Sequence, residues 1–533
     1  MDEPVTLNKR PWWDSIANTP GMLWALIIAL LVFRLVWQWF SPYTLIEDEA
    51  HYWEWARRLD WSYYSKGPGV AWVIWASTRV FGDTEFAVRL PAAVATALGM
   101  LAVARTTLML TNDRRYAFIA AILYNAVPGI AVASMLMTID APYIACWAWA
   151  SYFAISALMR DRHRDWVWFG AFIAIGFLFK YTILLLIPSV LFAMWLTRRE
   201  RSRTQLSWFA IGLLVSLLGL IPVAIWNAQH DWATVRHLLG HLGMKGGDTE
   251  NTAAGRHEAW TIAWFFEYIG LQLLVGGPVI ALAVFAWLNA RKPRNEGVRG
   301  MVRVCVAIAM PLLVFYMLVS LKVQTEGNWA MAAFVTLIPP SAWCVYDGVR
   351  RVDHPIKFFW GAAMFVLVGA LLLFPAAPRI ANAPLIGPLI PMYRMTGMRA
   401  HAQDAQRVLD EIEERTGQQP FVITNHYGRA SLLAFYLPGH PVVYCSSAHI
   451  GGRRTQYDEW DQTDLDNPST LAKLLGRPAL MLGGPPRHWE SAFETIEDLG
   501  KLDAEPKSHG SAYIGIGFRG FDDWQLPKPT PTP

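Results

Sequence analysis

The sequence predicts an α-helical polytopic membrane protein of about eleven transmembrane helices, followed by a small C-terminal extracytoplasmic α/β domain. Three observations predict it. Of the 533 residues 54% are hydrophobic, only 17% are charged and 27 are tryptophan, a composition remote from that of a soluble domain. Apolar runs long enough to cross a bilayer recur up to residue 375. Beyond that point the texture becomes that of an ordinary globular segment. The formal net charge of +4 is too small to imply a nucleic-acid partner, so the placement of charge is the informative quantity.

The apolar runs, roughly 16–25 residues each, are 22–40, 88–110, 116–133, 141–159, 165–180, 182–197, 206–226, 262–288, 302–320, 330–347 and 357–375. The first follows Lys9 and Arg10; it is long for a signal-peptide core and lacks a small-residue cleavage site, so it is expected to stay as a transmembrane helix. Lys180 separates the two short runs 165–180 and 182–197. The stretch "GVAWVIWASTRVFG" at 69–82 is too short to span and carries Arg79, which suits a helix lying in the membrane interface.

Charge sets the orientation. The connections "TNDRR", "RDRHRD", "TRRERSR", "ARKPRNEGVRG" and "DGVRRVDHPIK" are rich in Lys and Arg, whereas the alternate ones carry few for their length. The N-terminus and those loops are therefore expected in the cytoplasm, with 41–87, 134–140, 227–261, 321–329 and the C-terminus outside. Counting 69–82 as a span would invert every later loop and put the arginines outside.

Residues 1–375 thus form a transmembrane domain with 41–87 as its first external loop, and 376–533 a second domain. After the proline-rich "FPAAPRIANAPLIGPLIP", residues 397–415 and 427–437 pattern as helices, and "FVITN", "PVVYC", "PALML" and "YIGIGF" as strands. The tail "LPKPTPTP" has the composition of a disordered segment. Cys146, Cys305 and Cys344 lie in apolar runs and Cys445 stands alone, so no disulfide framework or metal spacing emerges. No inverted repeat of the kind found in many transporters is visible.

The stretch "IEDEAHYWEWARRLDWSYYSKGPG", residues 46–69, carries the most chemistry. On a helix starting near residue 47, Glu47, His51, Glu54 and Arg58 share one face, and Asp48, Tyr52, Trp55 and Leu59 the next. Acidic residues favour helix N-termini, and Trp and Tyr favour membrane interfaces, which accounts for one or two of the acids but not for the "SKGPG" that follows. A sugar linked to a membrane lipid by phosphate poses a matching chemical demand at this depth. An enzyme using it needs a carboxylate to take the proton of the acceptor hydroxyl and cations for the charge growing on the departing phosphate. Asp48 and Lys66 supply one of each, although a lysine here could equally snorkel to the interface. Asp140 is a second external carboxylate at the start of a span, with helix capping as its alternative. Lys180, followed by Tyr181, sits between two short spans, where a charge is costly unless it meets phosphate or pairs with an internal acid. Arg89, at a span entrance, could join a phosphate cluster or anchor its helix.

The segment "EDEAHYWEWARRLDWSYYSKGPGVAWVIWASTRVFGDTEFAVRLPAA" resembles the first external loop of the bacterial family 39 glycosyltransferases, relatives of the protein O-mannosyltransferases and of the lipid A aminoarabinose transferase. The likeness continues through "MTIDAPYIACWAW", "GFLFKYTILLLIP", "PVAIWNAQHDWATVRH", "FFEYIGLQLLVGGP", "EGNWAMAAF", "ASLLAFYLPGHPVVYC" and "GRRTQYDEW", most of the chain. It implies the GT-C fold, a multi-pass location in the bacterial inner membrane, and inverting transfer of a sugar from a polyprenyl-phosphate carrier to a lipid, glycan or protein acceptor. Position by position, it implies that the family's Asp-Glu pair falls on Asp48 and Glu49, with Asp48 as base or acceptor-orienting group, and that Lys66 contacts the carrier phosphate. The common "HPP" element reads "KGP" here. The same resemblance puts His230, Glu326 and Asn328 around the substrate cavity; Tyr64 and Tyr181 are further candidates for its lining, Lys180 and Arg89 for the phosphate, and Glu49 and Asp140 for shaping the site.

Carboxylates gathered at one cavity could hold a divalent cation, but no dedicated metal motif or required cofactor is evident. The cytoplasmic loops contain no glycine-rich phosphate cradle following a strand, which argues against direct use of a nucleotide sugar. A lipid-glycan transporter would spread charges through the spans toward both faces; here the unusual charges gather on one side, which favours an enzyme. A catalytically silent scaffold of the same fold is the remaining alternative, against which Asp48 counts.

Overall fold

A computed structural model describes residues 13–197, 202–242, 244–248, 262–380, 394–484, 487, 489–502 and 511–521. The tail "LPKPTPTP" and most of the proline-rich connection before residue 394 lie outside them. The first part of the chain is helical: α1 Trp13–Asn18, α2 Met22–Phe40, α3 Glu47–Arg57, α4 Gly69–Phe81, α5 Glu85–Thr111, α6 Arg114–Asn125, α7 Pro128–Ala133, α8 Asp140–Met159, α9 Asp165–Phe177, α10 Leu186–Thr197, α11 Arg203–Ser216, α12 Leu220–Gln229 and α13 Ala233–His241. It continues with α14 Ile262–Gly276, α15 Pro278–Ala290, α16 Glu296–Val319, α17 Ala333–Arg350 and α18 His354–Ile380.

Among the described residues five helices are long and apolar enough to cross a membrane, or six if the bent pair α14 and α15 makes one crossing. Helical segments fall on each expected apolar run; α11 and α12 share the run 206–226, a 3-10 turn precedes α10 on 182–197, and two other runs need correction. Residues 116–133 form two helices, because Val127 takes the extended backbone that a following proline favours and Pro128 opens α7. Residues 262–288 are not one straight span: α14 and α15 meet at 92°. The cause is Gly277, whose φ of 55° lies in the left-handed region, followed by Pro278 at the first position of α15. Helix α4, 13 residues long, reaches about 20 Å and falls short of a hydrocarbon core of about 30 Å. Helix α18 runs to Ile380, past the expected boundary at 376.

In the C-terminal part, α19 (Met398–Thr416) precedes a five-stranded sheet of β1 Phe421–Thr424, β2 Val443–Cys445, β3 Ala479–Leu482, β4 Phe493–Gly500 and β5 Ala512–Phe518, in the order β2-β1-β3-β5-β4. β1 pairs in parallel with β2 and β3, while β5 runs antiparallel to both β3 and β4. Two more helices, α20 (Tyr427–Tyr436) and α21 (Pro468–Leu474), complete the α/β unit.

That unit sits on α3, against which α20 packs. Trp53 meets Phe435 edge to face at 4.9 Å, Arg58 lies over Trp460 at 4.6 Å, and Arg57 donates to the carbonyl of His440 at 2.8 Å. His51 Nε2 accepts from Trp55 Nε1 at 3.2 Å, so Nδ1 donates to Ser431 Oγ at 3.1 Å. This is a neutral imidazole, its pKa driven down to about 3 by burial first and then by Arg453. The backbone N–H of Leu45 donates to the Tyr436 hydroxyl at 2.7 Å.

The start of α3 is fixed by one buried ion pair. Arg89 Nε and Nη2 donate to Glu49 Oε1 and Oε2 at 2.8 and 2.7 Å, and the guanidinium also donates to the carbonyls of Tyr43 and Thr44 at 3.1 and 2.8 Å. Glu49 in turn accepts the backbone N–H of Ile46 at 3.0 Å and of Met137 at 2.8 Å. Three chain segments thus meet at one carboxylate that is 0% exposed. Glu49→Gln leaves Arg89 buried without its counter-charge. The expected result is a loss of about 3–5 kcal/mol of stability, seen as a lowered melting temperature of the detergent-purified protein at unchanged helix content; a melting curve superimposable on the parent's would refute it.

Candidate active site

The loop between α3 and α4 is shaped by its glycines. Ser62 Oγ and the Tyr63 N–H donate to the Lys66 carbonyl at 3.2 and 3.1 Å, closing a tight turn. The Gly69 N–H donates to the Leu178 carbonyl at 2.9 Å, and a Cβ on Gly67 would stand 2.4 Å from that same oxygen. Backbone therefore lies directly on backbone at the end of α9. Because Lys180 follows Leu178 by two residues, the turn carrying Lys66 is brought within electrostatic range of it.

Asp48 is exposed by surface area, yet burial is the largest influence raising its pKa above the usual carboxylate range. The combination describes a carboxylate in a recess, open to water but walled by protein. Lys66 opposes the rise, while Glu47, Asp140 and Glu49 add to it. Lys66 is itself pulled down to about 8, by burial first and then by the like charge of Lys180; Asp48 and Asp140 push back and Arg453 pulls down again. Among the described residues neither the Asp48 carboxylate nor the Lys66 ammonium has a hydrogen bond or ion pair, so both remain available to a third party.

Asp140, by contrast, is fully engaged. Lys180 Nζ lies 2.9 Å from its Oδ1, and Asn328 Nδ2 donates to Oδ2 at 2.7 Å. It does not cap α8, whose N-cap position is Ile139. The second alternative for Lys180, pairing with an internal acid, is the arrangement observed, and its ammonium also lies 5.3 Å from the Tyr143 ring centroid.

The remaining expected residues divide. Arg89 and Glu49 are committed to each other and to the architecture. The Tyr64 backbone N–H donates to Gln456 at 2.6 Å, and its hydroxyl donates to Asp248. Tyr181 packs on Phe177 with its hydroxyl beside Ser62 and Thr234, under the same loop. His230 stacks on Trp226 with ring centroids 4.0 Å apart and faces that residue's carbonyl, a local helix-end contact. Glu326 is exposed on the surface, two residues before the Asn328 that does reach Asp140. The three carboxylates do not converge: Glu49 turns to Arg89, and among the described residues no three His, Cys, Asp or Glu side chains are disposed to hold a metal ion.

Beside this recess lies a group that sequence reasoning did not single out. His237 Nδ1 and Asp248 Oδ2 are 2.8 Å apart, His241 Nε2 is 3.0 Å from His237 Nε2, and Arg453 Nη1 approaches the His237 ring at 3.4 Å. Burial drives the pKa of His237 down and that of His241 to about 3, so both rings are neutral near pH 7. The signal for the histidines was their i, i+4 spacing in "HLLGH"; Arg453 stands in the "GRRTQYDEW" motif, which marks the family without marking a role. A groove of about 720 Å³ between α19 and Tyr436 contains none of these groups.

The arrangement offers an unpaired carboxylate of raised basicity next to an unpaired ammonium and a second, carboxylate-bound one. That set can accept a proton and steady a growing negative charge a few ångströms away.

The family described as dolichyl-phosphate-mannose-protein mannosyltransferase matches residues 65–226. The chain is 25% identical over 361 residues to the lipid A galacturonosyltransferase RgtD of Rhizobium johnstonii, covering 66% of this chain and 70% of that one. It is 24% identical to the undecaprenyl phosphate-alpha-4-amino-4-deoxy-L-arabinose arabinosyl transferase 1 of Sodalis glossinidius, covering 84% and 89%. Among solved structures, ArnT from Cupriavidus metallidurans bound to undecaprenyl phosphate superimposes with a TM-score of 0.62 at 16% identity, covering 93% of this chain and 99% of that one; the apo form gives 0.62 at 15%. With apolar helices long enough to cross a membrane and the site described above, these matches make the chain an integral membrane glycosyltransferase of the GT-C fold, similar to family 39.

Proposed function

We propose that the chain transfers a sugar, with inversion, from an undecaprenyl-phosphate-linked donor to a hydroxyl of a lipid A-type glycolipid outside the cytoplasm. The observation that carries this reading is that Asp48 and Lys66, opposite charges that influence one another, both lack a hydrogen bond or ion pair among the described residues. The donor and acceptor classes draw support from the names of the relatives, one a lipid A glycosyltransferase and one a transferase of an undecaprenyl-phosphate sugar. A polysaccharide or protein hydroxyl is the alternative acceptor, and the same assay separates them. The chain crosses the membrane about eleven times, with its N-terminus in the cytoplasm and residues 376–533 on the far side, as the Lys- and Arg-rich loops require.

In the proposed step Asp48 takes the proton of the acceptor hydroxyl as its oxygen forms a bond to the anomeric carbon. The bond from that carbon to the phosphate oxygen breaks on the opposite face, and its electron pair leaves with the undecaprenyl phosphate. The phosphate thereby gains one negative charge, which Lys66 and Lys180 stabilise. No general acid is needed, because a phosphate diester already leaves readily. Asp140 keeps Lys180 in place, and Glu49 with Arg89 holds α3 so that Asp48 stays aimed into the recess.

Asp48→Asn is expected to slow turnover by about 100- to 10,000-fold while binding of undecaprenyl phosphate stays within a few fold. Release of undecaprenyl phosphate from a panel of undecaprenyl-phosphate sugars, with lipid A as acceptor, measures it; equal turnover by the two forms removes Asp48 from the mechanism. Lys66 also gives a pH dependence. It is cationic below about 8 and neutral above, so undecaprenyl phosphate affinity should fall as pH rises through that value, above the second ionisation of the phosphate itself. Lys66→Arg stays charged throughout and should flatten the curve; an unchanged fall in that variant would assign the titration to another group.

A further inference from the structure

We infer that Arg453, delivered by the C-terminal domain, is a third cation on the donor phosphate, so that the site is complete only when that domain is seated on α3. The inference rests on the polyprenyl-phosphate reading above and adds to it a residue from the other end of the chain. Arg453 belongs to a segment locked onto the α3–α4 loop. Three residues on, Gln456 accepts the Tyr64 N–H at 2.6 Å, and the next residue, Tyr457, exchanges a hydrogen bond of 2.9 Å with Ser431, which holds His51 of α3. The backbone carrying Arg453 thus has little freedom relative to Lys66.

Its side chain has no acid of its own. Among the described residues no carboxylate lies within ion-pair distance of it, whereas its neighbour Arg454 reaches Glu459 at 3.7 Å and the Asp458 carbonyl at 2.9 Å. The guanidinium lies 5.6 Å from the Tyr427 ring centroid, with that residue's hydroxyl as a partner. It also approaches His237, whose two nitrogens already face Asp248 and His241. Its field reaches the recess: it acts on Lys66, and Tyr427 feels both Arg453 and Asp48. A half-buried arginine within electrostatic range of another cation is unfavourable until an anion arrives, and a planar guanidinium suits two phosphate oxygens at once.

The test uses full-length detergent-purified protein and undecaprenyl phosphate as probe. Arg453→Gln should weaken binding about tenfold at an unchanged melting temperature, Arg453→Lys should recover most of the loss, and Arg454→Gln should bind within twofold of the parent. A second measurement needs no variant: in the parent protein, undecaprenyl phosphate should shield Arg453, but not Arg454, from phenylglyoxal, as read by mass spectrometry of the peptide. Inorganic phosphate at the same concentration should shield neither. Unchanged affinity in folded Arg453→Gln protein, or equal labelling of Arg453 with and without the lipid, overturns the inference. If Lys66→Gln abolishes binding in the same series, the proposed function stands regardless; if the parent binds no undecaprenyl phosphate at all, both fall.

Discussion

The site depends first on the ion pair between Glu49 and Arg89. Successive residues on an α-helix point about 100° apart, so three consecutive acids at the start of α3 must face three different surroundings. Glu49 turns inward to a buried guanidinium and two backbone amides. Glu47 turns toward the C-terminal domain, where His426 lies 3.9 Å away and Gly428 leaves room for its stem. Asp48, between them, is left facing the recess. Once Glu49 is fixed, the rotation of α3 is fixed, and with it the direction of Asp48.

Electrostatics inside the recess are a near balance in which burial decides. Lys66 experiences two cations, Lys180 and Arg453, and two acids, Asp48 and Asp140. Their contributions largely oppose one another, and loss of hydration sets the direction: the ammonium titrates nearer neutrality and the Asp48 carboxyl becomes more basic. The C-terminal domain is part of this, since α20 and the Arg453 segment wall the recess and thereby remove the water that would otherwise screen its charges.

Much of the helical part was legible because hydrophobic runs respond to the membrane, a constraint that acts on sequence directly. The 92° break was not, although Gly276, Gly277 and Pro278 stood in plain view, because an apolar run reads alike whether it continues or turns. The strand Phe493–Gly500 was missed for the opposite reason. Its sequence "FETIEDLG" is an edge strand with half of its residues exposed and only one buried, so charge replaces the alternation that marks a half-buried strand. Within the site, Asp48, Lys66, Asp140, Lys180 and Asn328 were legible from their loops and the family pattern, and the structure groups them. Their partners were less so: that Arg89 faces Glu49, or that a residue near position 453 approaches one near 66, is a fact of tertiary packing with no local trace.

What distinguishes Asp48 is how thoroughly nearby acids are satisfied. Glu49 has Arg89, Glu54 has Arg57 and Arg58, and Asp140 has Lys180 and Asn328. A chain that pairs its buried acids this consistently follows the general rule that buried polar groups are bonded. Asp48 and Lys66 stand outside this pairing, although each is the complement of the other. The tight turn at 62–66, pinned to the end of α9 by Gly67 and Gly69, fixes the backbone from which the ammonium extends. Local rules are broken in this way where function requires it, and a phosphate with an attacking hydroxyl is the chemistry that would satisfy both charges together.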